Sequence, residues 1–175
     1  QLDIKRTLDS LLLQTRPIDQ IVVVVNNTHD KTADIVRLYA QEFPHIICVD
    51  NPDYQTRHGR TVTVKGKVAA LNYYWRHYVA IEEPRGSEEF VLGIDADVVL
   101  AEDCIELLEK TLLDDEHNRI GGVRAAYGFE VPENADFRTR GLVKAQQLDF
   151  AATELSDQLR RGNRANILGG QATLF

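Results

Sequence analysis

The sequence predicts an α/β fold in which helices flank a mostly parallel sheet. Three observations carry that prediction. Apolar, β-branched runs at residues 20–25, 46–49 and 89–94 alternate with stretches of helical period, the pattern of strands joined by helical crossovers. The run Ile21-Val22-Val23-Val24-Val25 is continuously apolar, as expected of a strand buried on both faces. Polar turns follow at residues 26–31 and 95–97, and the carboxyl ends of strands are where open α/β sheets place their ligands.

Each element follows from its local pattern. Leu2, Ile4, Leu8, Leu11 and Leu12 share one helical stripe, stopped by Pro17. After the strand at 20–25, residues 32–42 are amphipathic through Ile35, Val36, Leu38 and Tyr39, and Pro44 ends them. A second strand covers 46–49. Residues 50–66 form a polar loop with Pro52, Gly59 and Gly66, holding a short strand at 61–64. The spacing of Val68, Leu71, Tyr74, Trp75 and Tyr78 predicts a helix over 67–81 with these residues facing the core. A strand at 89–94, a helix at 103–113, a strand at 120–127, a helix at 141–161 and an extended segment at 167–175 complete the chain. Residues 129–140 read as a mobile loop.

At 175 residues the chain fits one domain with a sizeable core. Acidic residues outnumber Lys and Arg 27 to 20, and Arg160, Arg161 and Arg164 form the one dense basic cluster. Broad nucleic-acid binding is therefore disfavoured, and an anionic substrate needs local cations or a metal. Cys48 and Cys104 lack metal-ligand spacing and read as buried thiols. The histidines are scattered, with no pair at i, i+4, so no zinc site is signalled. No apolar run approaches the ~18 residues of a membrane span, and no export signal is visible. A start at Gln1, the absence of Met and an apolar end at Phe175 suggest an internal piece of a longer protein.

The residues that could carry chemistry sit at the turns. Asp95-Ala96-Asp97 closes the strand Phe90-Val91-Leu92-Gly93-Ile94. On extended backbone the two carboxylates would point to one side, roughly 7 Å apart, and repel by about 2 kcal/mol. A cation would offset that, and an oxygen pair suits Mg2+ or Mn2+, which take few protein ligands and bind substrate phosphates with the rest. Solvated acids in an ordinary loop are the plainer alternative. In Asn26-Asn27-Thr28-His29-Asp30, the Asn and Asp side chains could read a base or ribose, or Asp30 could simply cap the next helix. Lys67, after Gly66 at a helix start, can meet a phosphate or a base carbonyl, with Lys65 a neighbouring candidate; the P-loop spacing is absent. Gly121-Gly122 suggests a bulge or close backbone approach. Gly169-Gly170-Gln171 allows either close substrate approach or a plain turn.

Taken together, these segments resemble family 2 glycosyltransferases of the GT-A fold, and within them membrane-associated β-polysaccharide synthases such as poly-N-acetylglucosamine synthase. The resemblance runs through nearly the whole chain. Thr7-Leu8-Asp9-Ser10-Leu11-Leu12-Leu13-Gln14-Thr15 is similar to the family's first helix, and residues 21–32 to its second strand and nucleotide turn. Gly66-Lys67-Val68-Ala69-Ala70-Leu71-Asn72 is similar to its glycine-lysine segment, Gly93-Ile94-Asp95-Ala96-Asp97 to its DXD element, and residues 169–175 to its acceptor-side segment.

The resemblance implies a GT-A (Rossmann-like) domain incomplete at both ends: residues 1–175 would be a single fragment of a catalytic domain, without its first strand and its catalytic-base region. It implies that Asp97 binds Mg2+ or Mn2+ bridging the donor diphosphate, that Asp95 assists, and that both act in catalysis. Asn26, Asp30, Lys67 and Asp95 would bind the nucleotide, although many relatives carry Asp at the position of Asn26. Gly169, Gly170 and Gln171 would line the acceptor side. The implied reaction is metal-dependent sugar transfer with inversion from a nucleotide sugar, UDP-linked and first of all UDP-GlcNAc, to a saccharide or lipid acceptor. The setting would be polysaccharide synthesis at the cytoplasmic face of the cell membrane, reached through segments outside this chain. The fragment alone would be inactive and the complete protein active.

Two other readings stand beside this one. A nucleotide-sugar-binding module would bind the same donor without turnover. Asp95-Ala96-Asp97-Val98-Val99 is also similar to the nucleophile strand of haloacid-dehalogenase-type phosphatases, with Asp95 as nucleophile. Those enzymes need a later acidic pair at a strand end, and Asp114-Asp115 follows a predicted helix instead.

Overall fold

A computed structural model of the chain describes residues 2–26, 30–50, 53–55, 59–63, 66–79, 90–116, 120–161 and 172–175. The fold is α/β, as the alternation of periods predicts. Its contacts divide it into two compact units, Gln1–Phe90 with Ala96–Leu107, and Val91–Asp95 with Leu108–Phe175.

In the first unit, helix α1 (Leu2–Leu12) buries Ile4, Leu8 and Leu11, which the helical repeat places on one face. Strand β1 (Ile21–Val25), helix α2 (Thr32–Glu42) and strand β2 (Ile46–Asp50) form a βαβ unit. The strands run parallel, from Ile21 opposite Ile46 to Val25 opposite Asp50. Helix α2 covers the pair, with Val36 fully enclosed. Val22, Val23 and Val24 are only half-buried, short of the burial expected on both faces. Among the described residues β1 pairs with β2 alone, which leaves its other edge without a strand to cover it.

Strands β3 (Asp53–Gln55) and β4 (Thr61–Thr63) form an antiparallel hairpin. The polar sequence Asp-Tyr-Gln gave no signal for β3. Helix α3 (Gly66–Tyr74) widens into a π-helical turn at Trp75–Val79. Its apolar stripe is corrected by the structure: Val68, Leu71 and Trp75 are exposed at 73%, 51% and 55%. Tyr74 and Tyr78 of the expected stripe are half-buried, as are Ala69, Ala70 and Tyr73 beside it, and α3 lies against β1.

The second unit holds a three-stranded antiparallel sheet. Strand β7 (Ala172–Leu174) runs between β5 (Leu92–Ile94) and β6 (Val123–Arg124). All three residues of β7 are buried, and Val91 and Phe175 exchange backbone bonds of 3.1 and 3.0 Å beyond its end. The parallel geometry is thus confined to β1 and β2 among the described strands. Helix α4 (Cys104–Leu113) precedes β6. Of the strand expected at 120–127, β6 takes Val123 and Arg124, with the Ala125 N–H also bonded to Ala172 O at 3.0 Å.

Helix α5 (Phe137–Arg161) begins earlier than the apolar periodicity suggests. The reason is a cap: Thr139 donates its backbone N–H to the Asp136 carboxylate at 2.7 Å, satisfying an orphan donor of the first turn. The Thr139 side-chain hydrogen bond first, and then this backbone one, hold the Asp136 carboxyl below its ordinary value. With Ala135 N–H also bonded to Pro132 O at 2.9 Å, residues 129–136 form a loop with one turn at 133–134, and the expected loop is shortened by the helix start at Phe137. Cys48 and Cys104 are unbridged and half-buried, and burial raises both thiols' pKa values, in keeping with the reading as buried thiols.

One polar contact joins α1 to α2: the Tyr39 hydroxyl donates to the Asp9 carboxylate. Burial first, then that bond and the charges of Asp9 and Glu42, push the Tyr39 pKa up to about 12 from 10.0. A raised folded-state pKa favours the neutral phenol in the fold. Its stabilisation is complete below pH 10 and is lost as pH climbs through 12. Tyr39→Phe should remove a late-ionising tyrosine from an absorbance titration and flatten the fall in stability across that window. An unchanged titration curve would show that Tyr39 is not the late-ionising group.

Candidate functional site

The first cluster forms where β1 ends. Asn26 leaves the strand directly, and its Oδ1 accepts the Gly66 backbone N–H at 2.9 Å. One bond thus brings together the turn after β1 and the glycine-lysine segment, separated by 40 residues in the chain. Gly66 has φ +78°, a left-handed conformation that glycine adopts without the clash a Cβ would bring. Lys67, exposed in the first turn of α3, sits at the helix end whose dipole favours an anion. Asp30 Oδ1 accepts the Thr32 backbone N–H at 2.9 Å, shaping the entry to α2. Asn27, Thr28 and His29 lie outside the described residues.

The second cluster is the acidic turn. Strand β5 ends at Ile94, and Ala96 and Asp97 lie in a turn, so the spacing expected of extended backbone does not apply. Asp97 is exposed and belongs to the first unit; Asp95 is half-buried and belongs to the second.

Helix α1 holds the segment that carries Asp97. Thr7, Ser10 and Gln14 are buried at 3%, 7% and 8% exposure, a polar stripe beside the apolar one. The Thr7 hydroxyl proton is shared between Asp3 O at 3.1 Å and Ala96 O at 3.0 Å. Ser10 Oγ accepts the Leu100 N–H at 3.2 Å while donating to Thr7 O at 2.8 Å. Gln14 uses its whole amide: Nε2 donates to Ser10 O and to Ala101 O at 3.0 and 2.7 Å, and Oε1 accepts the Ile105 N–H at 3.0 Å. One side chain thereby serves the end of α1 and the start of α4, both of which leave backbone groups unpaired. Thr15 adds a backbone bond to Glu102 O at 2.8 Å. Sequence reasoning missed this role, although the spacing of Thr7, Ser10 and Gln14 was the available signal.

Among the described residues no three His, Cys, Asp or Glu side chains gather into a cation cage. The donor set nevertheless fits Mg2+ or Mn2+, which bind through one or two carboxylates and complete their shell with phosphate and water. Gly169, Gly170 and Gln171 lie outside the described residues. Gly121 has open space around it and Gly122 is half-buried next to β6, without a close backbone contact at Gly121. Asp114 and Asp115 follow α4 and not a strand, with Asp115 Oδ2 accepting the Ile120 N–H at 2.6 Å; the dehalogenase arrangement is not met there. The second unit also holds a cavity of about 360 Å³ beside Arg124, Tyr127, Phe129, Gln147 and Phe150. Gln147 Nε2 donates to Phe129 O at 2.7 Å along its wall, and the sequence singled out none of these residues.

A Cβ on Gly66 would meet nothing within 4 Å, so the penalty of a side chain there is backbone strain alone. Gly66→Ala should cost about 1–2 kcal/mol of stability, read as a lower urea midpoint at unchanged slope. An unshifted midpoint would contradict the left-handed start of α3.

Comparison with known proteins supplies the wider context. The chain matches the family model "Glycosyl transferase family 2" over residues 1–162. No curated protein and no solved structure matches it. The match spans the βαβ unit, the glycine-lysine segment and the acidic turn alike. The chain belongs to glycosyl transferase family 2.

Proposed function

We propose that these residues bind the donor in metal-dependent transfer of a sugar from a UDP-linked nucleotide, with inversion, to a saccharide or lipid-linked acceptor. Family membership supports glycosyl transfer and a nucleotide-sugar donor in general. The observation that carries the finer reading is the Asn26–Gly66 bond, which fastens the turn after β1 to the start of the lysine-bearing helix.

In this reading Asn26 is oriented by that bond, and its amide N–H2 is offered to the base. Lys67 donates to a uracil carbonyl or a phosphate, with the α3 N-terminus adding positive potential. Asp97 holds Mg2+ or Mn2+, and Asp95, which precedes the same turn in the chain, is its companion. A bound divalent cation would supply charge neutralisation for the departing diphosphate. The net charge of −7 makes such local cations necessary, because the chain as a whole repels a nucleotide. In this reading a carboxylate acting as general base accepts the acceptor hydroxyl's proton. We further assign UDP-GlcNAc as the first donor to test, and polysaccharide synthesis at the cytoplasmic face of a membrane as the setting. No helix among the described residues is long and apolar enough to cross a membrane, so membrane attachment in this reading comes from other segments.

Calorimetric titration with UDP, GDP and dTDP, with and without Mn2+, tests the proposal. UDP should bind most tightly, and only with the metal at full strength. Asp97→Ala should abolish the metal-dependent part while leaving the melting temperature close to the parent's, because the side chain is exposed. Equal Mn2+-dependent binding by that variant would remove Asp97 from the site. Lys67→Ala should weaken UDP binding roughly tenfold, the scale of a charge-assisted hydrogen bond of about 1.5 kcal/mol. An unchanged dissociation constant would exclude Lys67.

A further inference from the structure

We infer that Thr7 is a positioning residue for the metal-binding turn, setting the place of Asp97 through the carbonyl of Ala96. The inference rests on the proposed metal role of Asp97. Thr7 itself touches neither metal nor nucleotide in this reading.

The argument begins with placement. Asp97 is exposed and stands in a turn, where a carboxylate has no fixed position of its own. Cation binding by few protein ligands needs that position held, since Mg2+ and its analogues demand near-ideal ligand geometry. The peptide linking Ala96 to Asp97 carries the carbonyl that accepts from Thr7 Oγ1 at 3.0 Å, so the bond fixes the plane of the peptide from which Asp97 departs. Thr7 is 3% exposed, so its hydroxyl is bonded to protein partners and held in one place, with Ala96 O among those partners. Its hydroxyl is also engaged by Asp3 O at 3.1 Å on its own helix, the usual local partner of a helical Thr. The reach to Ala96 is the additional, long-range contact, spanning 89 residues of sequence.

The neighbouring stripe residues separate positioning from general stability. Ser10 and Gln14 hold Leu100, Ala101 and Ile105, all further along the chain from Asp97. Loss of Gln14 strips three hydrogen bonds from a buried amide site and should weaken the fold more than loss of one shared hydroxyl bond. It does not release the Ala96 carbonyl. A device that places Asp97 thus depends on Thr7 in a way that overall stability does not.

The test compares Thr7→Val, Thr7→Ser and Gln14→Leu in the full chain, reading the Mn2+ concentration that half-saturates UDP binding, the UDP affinity in EDTA and the melting temperature. Thr7→Val should raise the Mn2+ half-saturation at least fivefold and leave UDP affinity in EDTA within twofold. Thr7→Ser, which keeps the hydroxyl, should restore the parent value. Gln14→Leu should lower the melting temperature more than Thr7→Val and shift the Mn2+ half-saturation less than twofold. Where Thr7→Val does not fold, Thr7→Ala takes its place with the same expectation. A parent-like Mn2+ half-saturation in the hydroxyl-free variant overturns the inference, as does an equal shift in Gln14→Leu. Failure of the metal reading itself looks different: the parent chain would bind UDP with no dependence on Mn2+, or Asp97→Ala would retain that dependence.

Discussion

The polar stripe of α1 is the constraint on which the first unit depends. Thr7, Ser10 and Gln14 are buried, and each reaches a backbone group between Ala96 and Ile105. Buried hydroxyls and amides have a stabilising effect only when paired, and an unpaired one costs about 1–3 kcal/mol. The described residues meet that condition, with no buried side-chain N or O left without a partner. The stripe therefore specifies a single register between α1 and the segment after β5, where a purely apolar contact would tolerate sliding.

The same contacts place chemistry. The backbone after β5 has few regular bonds of its own between Ile94 and the start of α4, so it takes its path from α1. Also in the first unit, the Asn26–Gly66 bond does comparable work for the start of α3. The two stretches that the proposed function uses are thus each held within the first unit by side chain-to-backbone bonds. Exposed ion pairs, by contrast, contribute little. Arg37 bridges Asp34 and Asp50 at the surface, and nothing in the site depends on it.

Much of this was legible in the residues. The βαβ unit followed from the valine run, the Ile35/Val36 stripe and Pro44, because each of those signals is local. The glycine-lysine start of α3 and the acidic turn were legible as motifs, and the family match agrees with the resemblance they carried at the level of the family alone. Long-range pairing was not legible. Strand β7 inserts antiparallel between β5 and β6, and nothing in Ala172-Thr173-Leu174 names its partners. The face of α3 was partly misread, because periodicity shows which residues are apolar and not which of two adjacent stripes a neighbour covers. The start of α5 was misplaced because the apolar pattern was followed and the cap at Asp136 was not. Thr7, Ser10 and Gln14 were visible only as part of a family-like helix, since a polar stripe on a helix ordinarily faces water.

The central claim is that the acidic turn held by α1 is the seat of a cation that binds the donor diphosphate. Anomalous diffraction from crystals of this chain grown with Mn2+ and UDP addresses it most directly. The account predicts a manganese peak within bonding distance of the Asp97 carboxylate and of the UDP phosphates. Ordered UDP with no manganese at Asp97 would contradict it.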